Sequence, residues 1–326
     1  MLVKVEVAMI KNKDAPTIKE NKIMYIDLAY TLKMVNERSL HQELASRDSD
    51  GYFDHVWGIH PFADIPEKRE PQLQGFKVRQ ELFLPNQTII EGTSVYYRFL
   101  KKIYPLNFLV SQLRFLFYLV RLVKHENISI VLSTDPYFSG LLGLCIRFLT
   151  KAKLAIWVVA NYDDIYAATG ILAMPRLFRK RSVEKRIEKI VFLYADLVIG
   201  GNQNNLEYAL RNGATIEKST VFPVGKLIHR QHLLDPTLRD KDEIFAKINA
   251  KYHFVYIGRL TEIKYPDDVL KAFEVICNSV PDAALIIAGD GPMLEKMQKI
   301  TVEMRLEDKV YFLGNISQER LANILG

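Results

Sequence analysis

The stretch VYIGRLTEIKYPDDVLKAFEVI, Val255–Ile276, decides the fold. Its apolar run ending at Gly258 reads as a buried strand. Pro266 then opens a helix, because proline suits the first helical position, and Asp267 and Asp268 answer the positive end of the helix dipole. The pattern repeats downstream. AALIIAG (Ala283–Gly289) is a strand, PMLEKMQKITVEMR (Pro292–Arg305) a helix, KVYFLG (Lys309–Gly314) a third strand, and QERLANILG (Gln318–Gly326) a last amphipathic segment. Apolar strands alternating with helices specify an α/β fold with an open, mostly parallel sheet.

Working upstream, the same alternation covers most of the chain. IMYIDLA (Ile23–Ala29), FDHVWGIHPF (Phe53–Phe62), ISIVLSTD (Ile128–Asp135), KLAIWVVANYDD (Lys153–Asp164) and ADLVIGGN (Ala195–Asn202) read as strands or strand ends. LKMVNERSLHQELASR (Leu32–Arg47), YFSGLLGLCIRFLTK (Tyr137–Lys151), the basic segment 176–194 and NNLEYALRNG (Asn204–Gly213) read as helices. The stretch from Ala63 to Gln74 is polar and proline-bearing. This predicts an N-terminal extension or irregular strand over 1–22, a Rossmann-like domain over 23–225, a polar connection over 226–250, and a second βα array over 251–326.

At 326 residues the chain is long enough for two cores. Its two cysteines, Cys145 and Cys277, sit apart in apolar surroundings, which points to a reducing compartment. Neither belongs to a Cys/His cluster, so no metal site is expected. The net charge of +6 suits phosphorylated substrates or an anionic membrane face. No nucleic-acid reader module accompanies that charge, and nucleic acid is not an expected partner. LNFLVSQLRFLFYLVRLVK (Leu106–Lys124) carries Arg114 and Arg121 and is too polar to span a bilayer. It reads either as a core helix or as one lying in a membrane interface.

Ligands of open α/β sheets bind beyond the carboxyl ends of the strands. Gly258, Arg259 and Lys264 occupy such an end. Arginine forks onto phosphate oxygens and lysine adds a mobile point charge, so the pair suits a diphosphate. The alternative is a solvated loop in which both cations answer Glu262, Asp267 and Asp268. Gly289 and Gly291 flank Asp290 at the next strand end, where glycine permits a tight turn or a close backbone approach. This is not GxGxxG, and a dinucleotide reading is weak. No arrangement of a covalent hydrolase appears.

GRLTEIK, PDDVLKAF, LIIAGDGPMLEKM and DKVYFLGNI, in that order and spacing, resemble the first half of the C-terminal domain of glycosyltransferase family 4. The resemblance implies a GT-B fold, two Rossmann-like domains with parallel sheets, the second incomplete. It also implies sugar transfer, with retention at the anomeric carbon, from a nucleoside diphosphate sugar to a glycan or lipid-linked acceptor. Arg259 and Lys264 would be catalytic contacts to the donor diphosphate, Gly258 would let the loop close on it, and Gly289 and Gly291 would shape the turn near the nucleotide. No metal or other cofactor is implied beyond the nucleotide-sugar co-substrate. Envelope polysaccharide or lipid-linked glycan synthesis, on the cytoplasmic side at the inner face of the cell membrane, is the expected setting.

The N-terminal half resembles the family more weakly. The family's usual PNGV turn is here Phe222-Pro223-Val224-Gly225-Lys226, and the first βα loop, Tyr30-Thr31-Leu32-Lys33-Met34, has no glycine. Where many members carry histidine or aspartate, this chain has Asn161-Tyr162-Asp163-Asp164. Asp163 or Asp164 would orient an acceptor hydroxyl or face the donor sugar, unless they are ordinary loop carboxylates. The family's Glu-x7-Glu pair, expected after a further βα turn, has no counterpart before Gly326. The expectation is therefore a fragment, an interrupted gene product, or a domain completed by a partner chain, and in the last case a half-enzyme subunit.

Overall fold

The structure is a computed structural model that describes residues 20–325 apart from 39–43, 69, 71–74, 176, 223–231, 233, 236 and 238–239. Most of the N-terminal extension and the turn at Pro223–Lys226 lie outside the described residues. The chain divides into two compact units, Met1–Lys226 and Leu227–Gly326.

The first unit is built on an eight-stranded sheet ordered β3-β4-β2-β1-β5-β6-β7-β8. Its strands are β1 (Lys22–Ile26), β2 (His55–His60), β3 (Arg79–Leu84), β4 (Gln87–Glu91), β5 (Ile130–Ser133), β6 (Lys153–Val158), β7 (Leu197–Gly200) and β8 (Ser219–Val221). All neighbours pair in parallel except β3, which runs antiparallel to β4. The β3–β4 hairpin is not legible from patterning, because β4 buries polar Gln87, Thr88 and Glu91. Tertiary contacts satisfy them. Gln87 donates to the carbonyls of Leu44 and Ala45 at 2.8 and 3.0 Å, and Glu91 accepts from the Leu32 N–H at 2.8 Å.

Among the described residues, helices α1 (Leu32–Arg38), α2 (Asp64–Glu67), α3 (Tyr104–His125), α4 (Phe138–Leu149), α5 (Tyr162–Thr169), α6 (Arg181–Tyr194) and α7 (Gln203–Arg211) belong to this unit. The basic segment expected as a helix over 176–194 turns helical only at Arg181. The long helix α3 buries Phe115, Leu119, Val120 and Val123 in the main core, beside Val131, Leu142 and Leu154. It is thus a core helix by one face, whatever its other face does.

The second unit has three parallel strands ordered β11-β10-β9: β9 (Tyr252–Ile257), β10 (Ala283–Ala288) and β11 (Val310–Gly314). Helices α8 (Pro266–Ser279), α9 (Leu294–Glu303) and α10 (Gln318–Leu325) pack on it. Central β10 is buried throughout, whereas β9, one of the two edge strands, exposes Tyr252, Phe254 and Ile257. Residues 242–250, read from sequence as part of a connection, pack on this unit. Ile244 and Ile248 bury against Ala284, Ile286 and Ile324, and Asp242 pairs with Arg320 at 2.9 Å. Their apolar positions are too widely spaced among charges to signal a core role in the sequence.

Candidate functional site

The end of β9 carries a loop held by backbone bonds. Leu260 is fully buried in the second unit's core. Its N–H donates to the Asp290 carbonyl at 3.0 Å, and its own carbonyl accepts from the Met293 N–H at 3.0 Å. The Gly258 N–H donates to the Ala288 carbonyl at 3.1 Å, and the Gly289 N–H to the Gly314 carbonyl at 2.8 Å. Three strand-end loops are thereby laced together. A Cβ on Gly289 would fall 1.9 Å from the Gly258 carbonyl oxygen, and one on Gly291 would fall 2.4 Å from that of Leu260. Both glycines are required by the approach of backbone to backbone. Gly258 is different: an added Cβ meets nothing closer than the Tyr256 hydroxyl at 3.5 Å.

On this frame Arg259 and Lys264 are exposed, one on each side of the buried Leu260. Lys264 closes a 3-10 turn, Glu262–Lys264, and Tyr265 follows at φ 47°, a left-handed conformation uncommon for a tyrosine. Two of the three neighbouring carboxylates are engaged elsewhere. Asp267 lies 3.4 Å from Lys296, and Asp268 lies 2.8 Å from Lys271. Among the described residues neither Arg259 nor Lys264 forms an ion pair. The loop therefore offers two unneutralised cations on a fixed backbone, an arrangement that suits a polyvalent anion.

Asp163 lies in the first unit, in the first turn of α5. The Asn161 side chain caps that helix, accepting from the N–H groups of Asp163 and Asp164 at 3.1 and 3.2 Å. The Asp163 carboxylate accepts from Arg181 at 2.6 Å, Lys185 at 2.9 Å and Asn212 at 2.8 Å. Burial opposes its ionisation, but the bonds from Asn212, Arg181 and Lys185 outweigh that and hold its pKa at about 2. A carboxylate so held is an anchor and a poor proton acceptor. Asp164 is freer, and takes one bond from Asn204 at 3.2 Å.

The network around Asp163 escaped the sequence reading. Arg181 also donates to the Tyr137 hydroxyl at 2.8 Å and to Glu184 at 2.9 Å, and Lys185 lies 2.6 Å from Glu188. The hydroxyls of Tyr137 and Tyr208 donate to Glu188 at 2.7 and 2.5 Å. The side chains of Glu184 and Glu188 are both fully buried. A signal was available. Arg181, Glu184, Lys185 and Glu188 follow i, i+3, i+4, i+7 spacing, which puts a charged stripe on one face of a helix.

A second polar group stands at the carboxyl ends of β1, β2 and β5. Asp27, His60 and Asp135 are each at most 5% exposed. Arg47 pairs with Asp27, and its guanidinium lies 5.1 Å from the centre of the Tyr25 ring. Burial pushes His60 down to about 4 and Asp135 up to about 6, the latter against hydrogen bonds from Ser139 and the Tyr137 N–H. Single polar residues ending apolar strands carry no distinctive pattern, and the sequence did not single these out. Among the described residues no group of three or more His, Cys, Asp or Glu side chains could hold a metal ion.

Residues 239–326 match the family model described as glycosyl transferases group 1. An uncharacterized glycosyltransferase of Methanocaldococcus jannaschii, MJ1059, is 25% identical over 75% of this chain and 56% of its own length. The N-acetyl-alpha-D-glucosaminyl L-malate synthase of Bacillus anthracis is 25% identical over 60% of this chain and 54% of its own. The chain thus spans about half the length of the curated relatives it matches. Among solved structures, Anabaena HepE in complex with UDP-glucose superposes with a TM-score of 0.58 at 16% identity, covering 92% of this chain and 71% of that one. Two Rossmann-like α/β units with parallel sheets, the second with three strands, therefore give this chain the GT-B fold, and its residues 239–326 are related to the group 1 glycosyl transferases.

Proposed function

We propose that the chain binds a nucleoside diphosphate sugar through its second unit and serves retaining transfer of that sugar to a hydroxyl acceptor. The observation that carries this reading is the pair Arg259 and Lys264, exposed on a laced loop while Asp267 and Asp268 are bound elsewhere. Arg259 forks onto the diphosphate and Lys264 adds a point charge, so both strengthen their hold as negative charge builds on the leaving group. Gly258 leaves room for the phosphates, while Gly289 and Gly291 keep the turns narrow. The acceptor is a glycan or lipid-linked hydroxyl of envelope polysaccharide synthesis, and the first unit supplies its site. Asp163 acts there as an anchor for α5, leaving Asp164 as the carboxylate available to an acceptor. The setting is the cytoplasmic side, at the inner face of the cell membrane. HepE holds UDP-glucose, which makes a uridine donor the first to try.

Calorimetry with UDP, GDP and ADP tests this reading on the purified chain. Binding of one nucleotide that Arg259→Ala/Lys264→Ala abolishes is the expected result. Equal binding by both proteins overturns the phosphate assignment.

One observation favours a second reading, a half-enzyme subunit completed by another polypeptide. Edge strand β9 exposes Tyr252, Phe254 and Ile257, and an apolar edge is a template for further pairing. In that case the pure chain binds no nucleotide until the completing polypeptide is added.

A further inference from the structure

Helix α3 has two apolar faces, and among the described residues one of them packs into the core while the other is exposed. Its inner face carries Phe115, Leu119 and Val123 into the core. Its outer face exposes Leu106, Leu109, Leu113 and Phe117, the last at 58%. These residues fall at helical spacings of three and four and run about 16 Å along the axis. The stripe continues before the helix through Ile103 and through Phe99, which is 80% exposed. A patch of this length with no covering element among the described residues of its unit is unusual for a surface that meets only water.

The charge along this stretch of chain is of one sign. From Arg98 to Lys124 the chain carries Arg98, Lys101, Lys102, Arg114, Arg121 and Lys124, and no Asp or Glu. Arg114 and Arg121 line a groove of about 430 Å³ with Val110, Leu113, Phe117 and Tyr118. Phe76 also lines it, with its ring 6.1 Å from that of Tyr118. The nearest following acid, Glu126, is bound by Lys22 at 3.1 Å. Against the reading from sequence, the helix is long and apolar enough to cross a bilayer by length and composition alone, but 44% of its apolar window is buried inside the unit, as for a core helix with one outer face and not a span.

We infer that this outer face of α3 docks on an anionic phospholipid bilayer. Leu106, Leu109, Leu113 and Phe117 enter the acyl boundary, and Arg114 and Arg121 take lipid phosphates at the groove. Like charge disfavours a second copy on this face, since two such surfaces would bring arginine against arginine. A straight stripe without a complementary ridge fits a fluid surface better than a folded partner. The inference deepens the membrane setting proposed above and rests on that reading for which membrane is met. Its physical content stands apart from sugar transfer.

Vesicle co-sedimentation of the purified chain tests it, with phosphatidylcholine alone and with phosphatidylcholine and phosphatidylglycerol at about three to one. Binding to the anionic vesicles that weakens with salt is expected, and little to the neutral ones. Arg114→Glu/Arg121→Glu lowers partitioning about tenfold or more. Leu109→Ser/Leu113→Ser/Phe117→Ser lowers it comparably while leaving all the cations in place. These side chains are exposed, so unchanged tryptophan fluorescence shows that both variants fold. No sedimentation, or sedimentation that neither variant reduces, overturns the inference. So does a wild-type dimer that the serine variant converts to monomer, because the face is then a self-interface. Nucleotide calorimetry on the same samples separates the two readings: intact UDP binding without vesicle binding refutes only the membrane surface.

Discussion

Replacing Arg181 by methionine removes the cation that most of the first unit's buried network depends on. The Arg181 side chain is 12% exposed and bonds Asp163, Glu184 and Tyr137, with Glu188 at 3.6 Å. Methionine keeps much of the volume but leaves the fully buried Glu184 without its cation. Glu188 is left with Lys185, whose side chain is 36% exposed. Breaking a buried pair by deleting one partner costs about 3–5 kcal/mol, because the stranded charge is worse than no pair. With a urea dependence of roughly 2 kcal/mol per molar, the midpoint falls by about 2 M. The assay is specific to this unit, since both tryptophans of the chain, Trp57 and Trp157, lie in it and report its unfolding by fluorescence. Arg181→Met/Glu184→Gln should recover part of the loss by removing one stranded carboxylate. A midpoint shift below about 0.5 M for Arg181→Met would refute the reasoning and show the network to be hydrated.

Gly289→Ala should destabilise the second unit by several kcal/mol, of order 3 or more, because its methyl would stand 1.9 Å from the Gly258 carbonyl. Gly258→Ala should fold normally and, if the loop meets a diphosphate, weaken only nucleotide binding; amide hydrogen exchange in β10 compares the two. Asp135 has its pKa raised from 3.8 to about 6 by burial, so the folded state takes up its proton before the unfolded state does. Its contribution should therefore raise stability as pH falls from about 6 to 4, by of order 2–3 kcal/mol, and cost that much above pH 6. Asp135→Asn should be more stable than wild type at pH 7 by urea titration, with the advantage gone near pH 4. An advantage equal at both pH values would refute the buried-charge assignment. Asp163, held near 2 by Asn212, Arg181 and Lys185, and Asp196, held near 2 chiefly by the Arg147 guanidinium 2.7 Å away, act with the opposite sign and only below that window.

What the sequence determined by itself is the alternation of apolar strand and amphipathic helix, with the cations at the end of β9. Those signals are local. Val255–Ile276 spells strand, glycine, cation loop and proline-started helix without help from any other part of the chain, and so do β10 and β11. The parallel order β11-β10-β9 follows the usual tendency of consecutive βα repeats to lie side by side. The tertiary structure decided what depends on distant partners. The β3–β4 hairpin was hidden because buried Gln87 and Glu91 look polar until Leu44, Ala45 and Leu32 are brought to them. Asp163 reads in sequence as a loop carboxylate near a strand end, yet Arg181, Lys185 and Asn212 arrive from two other helices to hold it ionised and occupied. Asp267 and Asp268 stand beside the cations in sequence, yet Lys296 and Lys271 claim them, which leaves Arg259 and Lys264 open to a ligand. Local propensity is written in neighbouring residues, whereas charge neutralisation acts through space and depends on which helix faces arrive together.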